Sequence, residues 1–228
     1  MKRLLGLLLV MGIVGCGGGD GKTVDAPKWV LRDGLMYEGD SKTPFTGVSV
    51  KKYENGQKED EGTFKDGKRE GLATLWHKNG QKKADEIYKD GELEGPWTLW
   101  HKNGQKVAEG TWKNGKGEGL WTMWHANGKK KSERTYKDGE PEGLATFWHE
   151  NGQKEADATY KDGKLDGPFT SWYENGQKDV EQTYKDGEPE GPSSAWYENG
   201  QKAWELTYKD GKKVSGTAWD REGNVTKE

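Results

Sequence analysis

The chain has 228 residues, 30% of them hydrophobic and 33% charged, with a formal net charge of −3. So few aliphatic residues argue against a core between two stacked layers, and the nearly balanced charge gives no basis for nucleic-acid binding. The single cysteine excludes an intrachain disulfide.

The start of the chain is predicted to be an export signal and not part of the fold. A basic dipeptide precedes a short apolar run, Leu4–Val14, which is too short to span a membrane alone. The run leads into Ile13-Val14-Gly15-Cys16, which resembles the lipobox of bacterial lipoproteins. This resemblance implies cleavage before Cys16 and lipidation of its thiol. The alternative is a plain exported protein with a free cysteine.

Three segments follow from this interpretation. Residues 1–15 are predicted to be a lipoprotein signal peptide. Residues 16–28 are predicted to be the lipidated cysteine and a flexible tether, because they contain the run GGGDG. Residues 29–228 are predicted to be a repeat array. The chain would then be exported and anchored to a membrane, at the outer membrane and periplasm or at the cell surface.

The array has a period of 24 residues. Asn-Gly pairs recur at this step, and Asp-Gly pairs keep the same step between them, with Asn114-Gly115 in the one gap. A third glycine does likewise, from Gly47 to Gly191. A fixed period of this length is typical of an array built from one supersecondary unit. The Asn-Gly pairs begin at Asn55, Asn79, Asn103, Asn127, Asn151, Asn175 and Asn199.

Each unit is predicted to be a β-hairpin. Asn-Gly and Asp-Gly are strong hairpin signals because these residues tolerate positive φ. They leave two segments of roughly ten residues, rich in the Thr, Trp and Tyr that suit strands. Helices barely fit between the glycines. The predicted fold is all-β: an elongated single-layer antiparallel meander with about 24 residues per repeat.

Irregular units are expected at both ends of the array, because terminal repeats cap an open edge. The first unit, from about Trp29, has an additional Asp33-Gly34 pair, and the last has an extra residue before Gly216. Lysines near the C-terminal end are suited to blunting an edge strand. They are Lys209, Lys212, Lys213 and Lys227.

Two columns of aromatic residues recur with the period and are the candidate ligand-binding residues. One consists of tryptophan alone; the other is mainly tyrosine. Their rings are expected to lie over the bare glycines of neighbouring strands and to supply burial that a single-layer sheet otherwise lacks. The candidates are Trp76, Trp100, Trp124, Trp148, Trp172 and Trp196, and Tyr88, Trp112, Tyr136, Tyr160 and Tyr184.

The turn type decides whether these two columns share a face. A two-residue turn at Asn79-Gly80 would place Trp76 and Tyr88 on opposite faces. A turn with a bulge shifts the parity by one and places them together. We favour the bulged turn, which predicts one aromatic trough, with a third column of histidine and tyrosine on the other face. The trough would bind an extended ligand, or its rings would only pack the sheet.

Catalysis and metal binding are not predicted. Histidines at one position of successive repeats are too far apart to share an ion, since metal–nitrogen bonds are near 2 Å. The acidic residues form a repeated column, whereas a catalytic dyad needs two carboxyls in different environments. No phosphate loop or nucleophile motif is present. We therefore expect no enzyme activity and no cofactor.

The segment Trp112–Gly119, WKNGKGEG, resembles the MORN repeat, and Phe64–Gly71 and Tyr88–Gly95 follow the same pattern. The turn at Tyr173–Lys178, YENGQK, is similar to the bacterial variant of that repeat, found in YwqK-like antitoxins. The resemblance covers about Trp29 to the C-terminus and implies an elongated sheet with an interaction or scaffolding role.

Three functions follow from these features. The first is a lipid-anchored envelope protein that binds an unidentified protein partner along its sheet. The second is a cell-wall or glycan-binding module, because rows of aromatic rings resemble glucan-binding repeats. The third is an antitoxin or immunity protein, which only the family label supports.

Overall fold

The computed structural model describes residues 29–226. The predicted signal peptide, Cys16 and the tether lie outside this range, so their predictions stay untested. The described residues contain no helix, and hence none that could cross a membrane.

One antiparallel sheet of sixteen strands, β3 to β18, contains all the regular repeats. Each strand pairs with its neighbours in sequence, except that the short β7 and β8 both pair with β6. A separate hairpin, β1 with β2, precedes the sheet. The predicted single-layer meander is therefore confirmed. The strands are β1 Trp29–Arg32, β2 Leu35–Glu38, β3 Gly47–Lys52, β4 Lys58–Lys65, β5 Lys68–Trp76, β6 Lys82–Lys89, β7 Glu92–Leu93, β8 Gly95–Trp100, β9 Lys106–Lys113, β10 Lys116–Trp124, β11 Lys130–Lys137, β12 Glu140–Trp148, β13 Lys154–Lys161, β14 Lys164–Trp172, β15 Lys178–Lys185, β16 Glu188–Trp196, β17 Lys202–Lys209 and β18 Lys212–Ala218.

The Asp-Gly pairs form tight two-residue turns. Asp90 and Gly91 both have positive φ, at 52° and 90°, and Lys89 pairs directly with Glu92. Positive φ at both central residues defines the type I′ turn, whose twist matches that of the strands it joins. Asn114 fills the same role, with a φ of 50°.

The Asn-Gly pairs form a different, longer turn. Only the glycine has a positive φ, as at Gly80 with 82°. The Gly80 N–H donates to the carbonyl of His77, and the His77 N–H donates to that of Gln81, at 2.9 and 2.8 Å. This is a type I turn with its third loop residue in the left-handed region. The predicted bulged turn, with Lys78 inside the loop, is therefore present.

A second irregularity reverses the parity shift that this turn produces. Leu75 pairs with Ala84 but Trp76 pairs with Lys82, so Lys83 is an extra residue in β6. Beyond it the pairing is regular as far as Gly71 opposite Tyr88. Trp76 and Tyr88 therefore lie on opposite faces, and the expectation of one shared aromatic trough is wrong. The same shift recurs in every regular repeat.

We call the face that carries Tyr88 and its equivalents the core face, and the face that carries Trp76 and its equivalents the open face. A three-residue bulge bends each long strand toward the core face. In β10 this bulge lies between Glu118 and Thr122. A side chain at Gly117 would begin 3.5 Å from the Trp121 Nε1, although a straight strand would separate these two residues by about 13 Å.

Because of this bend, the core face buries its own side chains without a second layer. The central cluster contains Phe147 and Phe169 with three alanines, Ala145, Ala156 and Ala158, all nine-tenths or more buried. The ring of Tyr184 lies edge-on to Phe169, with centroids 6.0 Å apart. Small residues on one strand thus leave room for rings on the next.

Gly110 shows the aromatic–glycine packing that the sequence predicts. It pairs with Trp97, and the indole of Trp121 lies directly over it, so that a Cβ at this position would overlap the ring. The two indoles are 5.4 Å apart. A larger residue at Gly110 would displace this tryptophan pair.

Both ends of the array are capped by irregular units, as expected. At the N-terminal end, Phe45 packs on Trp29 and Phe64, with ring centroids 4.5 and 6.1 Å away. At the C-terminal end, Val225 pairs with Trp219 beyond the last strand. Among the predicted edge lysines, Lys212 and Lys213 are exposed in β18, Lys209 is exposed in β17 and Lys227 lies outside the described residues.

Candidate functional site

The tryptophan column lies half-buried on the open face, each ring beneath a lysine of the preceding repeat. The Lys82 Nζ is 5.8 Å from the Trp100 ring centroid, which is cation–π distance. The same lysine forms an ion pair with Asp85, at 2.6 Å. This lysine–carboxylate–tryptophan unit recurs down the array, with the lysines at Lys58, Lys82, Lys106, Lys130, Lys154 and Lys178.

A row of threonines and carboxylates forms the middle of the open face. The Thr74 hydroxyl donates to Asp85 Oδ1 at 2.8 Å, and Thr146 donates to Asp157 in the same way. The carboxylate side chains are between 25% and 52% exposed. Exposed ion pairs of this kind contribute at most about 1 kcal/mol each, so the row does not hold the fold together.

An exposed apolar row lies beside the carboxylates, and sequence reasoning missed it. Four of its residues are between 56% and 61% exposed, and prolines complete it. The signal was present in the sequence, since the residue after the third glycine is apolar in every repeat. The row consists of Val48, Leu72, Pro96, Leu120, Leu144, Pro168 and Pro192.

The tyrosine column packs within the core face. The Trp112 and Trp121 rings meet edge-on at 5.0 Å, and Tyr136 is buried against Trp121. Burial raises the pKa of Tyr160 and of Tyr184. These rings are part of the core, so ligand binding by this column has no support from their packing and stays a prediction.

The histidine and tyrosine column lies in the turns at one edge of the sheet and connects each turn to the next. His77 Nε2 lies 2.9 Å from the carbonyl oxygen of Trp100, and the Tyr53 hydroxyl donates to that of Trp76 at 2.7 Å. Because a carbonyl oxygen only accepts, the bond requires a proton on Nε2. Histidine and tyrosine both place a donor at this distance, which explains why they interchange in the column.

Tyr173 makes the same bond to Trp196, at 2.7 Å. Burial is the main reason that its pKa is raised to about 12, and the neighbouring Asp179 carboxylate contributes further. Asparagines reinforce this edge: Asn79 donates to the carbonyl of Lys102 in the next turn, at 2.7 Å. Within residues 29–226, no group of three histidine, cysteine or acidic side chains could hold a metal ion.

The opposite edge, with the Asp-Gly turns, is linked by carboxylates. The Glu70 carboxylate accepts from the backbone N–H of Asp90 at 2.9 Å, one repeat further along. Glu94, Glu118, Glu142, Asp166 and Glu190 make the equivalent bond. Both edges are thus occupied by contacts between repeats, which leaves the open face as the surface available to a ligand.

The fold and the two faces define a β-repeat protein in which one hairpin unit stacks along a single direction. A family profile described as MORN repeat variant matches at seven segments, which together cover more than half of the chain. The chain therefore belongs to the MORN repeat variant family. The matched residues are 45–66, 69–90, 93–114, 117–138, 141–162, 165–186 and 189–210.

This membership confirms the resemblance seen in the sequence. MORN repeats suggest a binding or interaction scaffold, and proteins that contain them are generally not enzymes. A comparison with curated proteins gives no match.

Proposed function

We propose that this chain is a non-enzymatic, lipid-anchored envelope protein that holds an extended segment of a protein partner along its open face. The exposed apolar row supports this proposal most strongly. Leu72, Leu120 and Leu144 recur at one position on the face that the core does not use. Exposed apolar residues that line up over many repeats are typical of a recognition surface.

The membrane anchor rests on the lipobox-like run before Cys16. Metabolic labelling with an alkyne fatty acid tests it, since the wild-type chain should become labelled and a Cys16→Ser variant should not. Equal labelling of both chains, or labelling of neither, would overturn the anchor without affecting the repeat array.

Site-specific photo-crosslinking in cells tests the partner. A photoreactive residue at Leu120 or Leu144 should give a discrete crosslinked protein. The same residue at Leu31, which is 69% exposed but belongs to the N-terminal hairpin, should not. If Leu31 gives the same product, or the open face gives none, the proposed binding surface is wrong.

The two alternative functions have less support. A glycan would stack on open ring faces, but the open-face tryptophans are half-buried under lysines. A shift in tryptophan fluorescence on titration with peptidoglycan fragments would favour this alternative. An antitoxin role rests on the family label alone, and rescue of cells from a toxin encoded beside it would favour that role.

A further inference from the structure

We infer that the segment held on the open face is a polyproline II helix with a three-residue repeat, one apolar and one basic residue per turn. This inference rests on the proposed function and specifies the conformation and chemistry of the partner. The period of the array, the charge of the open face and the arrangement of its rows lead to it.

The repeat spacing matches one helical turn of this conformation. Equivalent residues lie two strands apart, which is about 9.6 Å at the usual strand spacing. Polyproline II has three residues per turn and rises about 3.1 Å per residue, or about 9.3 Å per turn. The difference is about 0.3 Å per repeat, so such a helix stays in register along all seven matched repeats.

The open face has a channel suited to a three-sided helix. One side is the exposed apolar row, and the other is the carboxylate row, two residues further along each strand and so about 7 Å away. At the C-terminal end the channel widens into an open depression of about 460 Å³, bounded by Pro192, Glu205 and Thr207. A polyproline II helix would place one edge on each row and its third edge in solvent.

The charge of the channel selects a basic partner. Each carboxylate is paired with a lysine on its tryptophan side, as Glu109 is with Lys106. On its other side lie only threonine, isoleucine and the apolar row, with no cation of the described face. In Glu133 one oxygen accepts from Lys130 and the other has no partner among the described residues. An arginine or lysine from the ligand, once per turn, would meet these free oxygens.

The backbone of the helix also fits the channel. Polyproline II has no internal hydrogen bonds, so its amides and carbonyls are free. Threonine hydroxyls and carboxylates line the channel and can accept from the amides. Recognition of this conformation usually combines such polar groups with apolar or aromatic walls.

The test uses the full chain, purified in detergent, and a fluorescent synthetic peptide, (Pro-Leu-Arg)7. Anisotropy should show saturable binding. A peptide of the same composition in an order without the three-residue period should bind at least tenfold more weakly, as should (Pro-Leu-Glu)7. Replacing every proline with glycine should weaken binding severalfold, because the helix is no longer preformed.

Two matched triple variants locate the site. Leu72→Gln, Leu120→Gln and Leu144→Gln remove the apolar row and should weaken binding at least tenfold. Leu31→Gln, Val214→Gln and Val225→Gln change residues that are 69%, 59% and 64% exposed outside the row, and should leave binding within twofold. Circular dichroism should be unchanged in both variants.

Equal binding of the periodic and non-periodic peptides would overturn the inference, as would equal loss in the two triple variants. This result is separable from the proposed function. If open-face photo-crosslinking in cells succeeds while the periodic peptide fails to bind, a partner exists but is not a polyproline II helix. If the periodic peptide binds but crosslinking fails, the chemistry of the channel is correct and the cellular role is not.

Discussion

The two faces of this sheet are made from alternate residues of the same strands, yet they differ in almost every physical property. On the core face, rings and alanines pack to less than a tenth exposed. On the open face, leucines are more than half exposed beside ion pairs. A single-layer sheet can thus be stabilised by one face alone if its strands bend, which leaves the other face free for recognition.

The largest contrast is expected within one strand, β12. Phe147 is 7% exposed and Leu144 is 60% exposed. Phe147→Ala should lower the free energy of unfolding by about 3–5 kcal/mol, because it leaves a cavity in the core cluster. Leu144→Ala should change it by less than about 0.5 kcal/mol. Urea denaturation of the two variants checks this, and similar losses would contradict the difference between the faces.

Gly110→Ala should have the next largest effect, about 1–3 kcal/mol, because its Cβ would overlap the indole of Trp121. Gly62→Ala is the matched control, since its Cβ would lie 2.9 Å from the Arg69 Nη1, at the end of a flexible side chain. It should cost less. In a double-mutant cycle, Trp121→Ala should remove most of the penalty of Gly110→Ala, and strict additivity would contradict the packing of this ring on the glycine.

A smaller effect is expected at the turn edge. Tyr173→Phe removes the hydrogen bond to Trp196 and should cost about 0.5–1.5 kcal/mol. Tyr173→His should restore part of this stability, because histidine makes the equivalent bond at His149. Thermal denaturation of both variants checks this. Equal stability of the phenylalanine and histidine variants would mean that the bond adds nothing.

The same tyrosine predicts an alkaline limit. Its pKa is raised from 10.0 to about 12, so the folded chain favours the neutral phenol. This contribution is fully present below pH 10 and is lost as the pH rises through about 12. Denaturant midpoints measured across this range should fall less steeply for Tyr173→Phe than for the wild-type chain. Parallel curves would contradict the assignment.

The smallest effect is expected from an open-face ion pair. Lys154→Met should cost less than about 1 kcal/mol, because Lys154 and Asp157 are partly exposed, at 52% and 25%. The loss should shrink further in high salt, which screens exposed charges. A cost as large as that of Phe147→Ala would mean that the open face also holds the fold together.

The period, the hairpins and the single-layer sheet were predictable because turn residues at fixed steps encode them locally. The assignment of faces was not. The three-residue loop at Lys78–Gly80 shifts the parity, and the extra residue Lys83 shifts it back. Such a bulge has no marker residue of its own, since lysine, glutamate and valine occupy that position in other repeats.

The candidate site was predictable in part. The tryptophan column does lie on the open face, but tyrosine and tryptophan are both aromatic, and composition could not show that Tyr88 and its equivalents belong to the core. The apolar row was detectable, because Leu72 and Leu120 follow the same glycine. It received no weight because isolated exposed leucines are common on protein surfaces.

Cysteine labelling along β12 tests the central claim most directly. In a Cys16→Ser background, single cysteines at Leu144, Ala145 and Phe147 would each be the only thiol in the chain. The two-faced sheet predicts fast reaction at 144 and strong protection at 145 and 147. Equally fast reaction at all three positions would contradict it, because the core face would then be open to solvent.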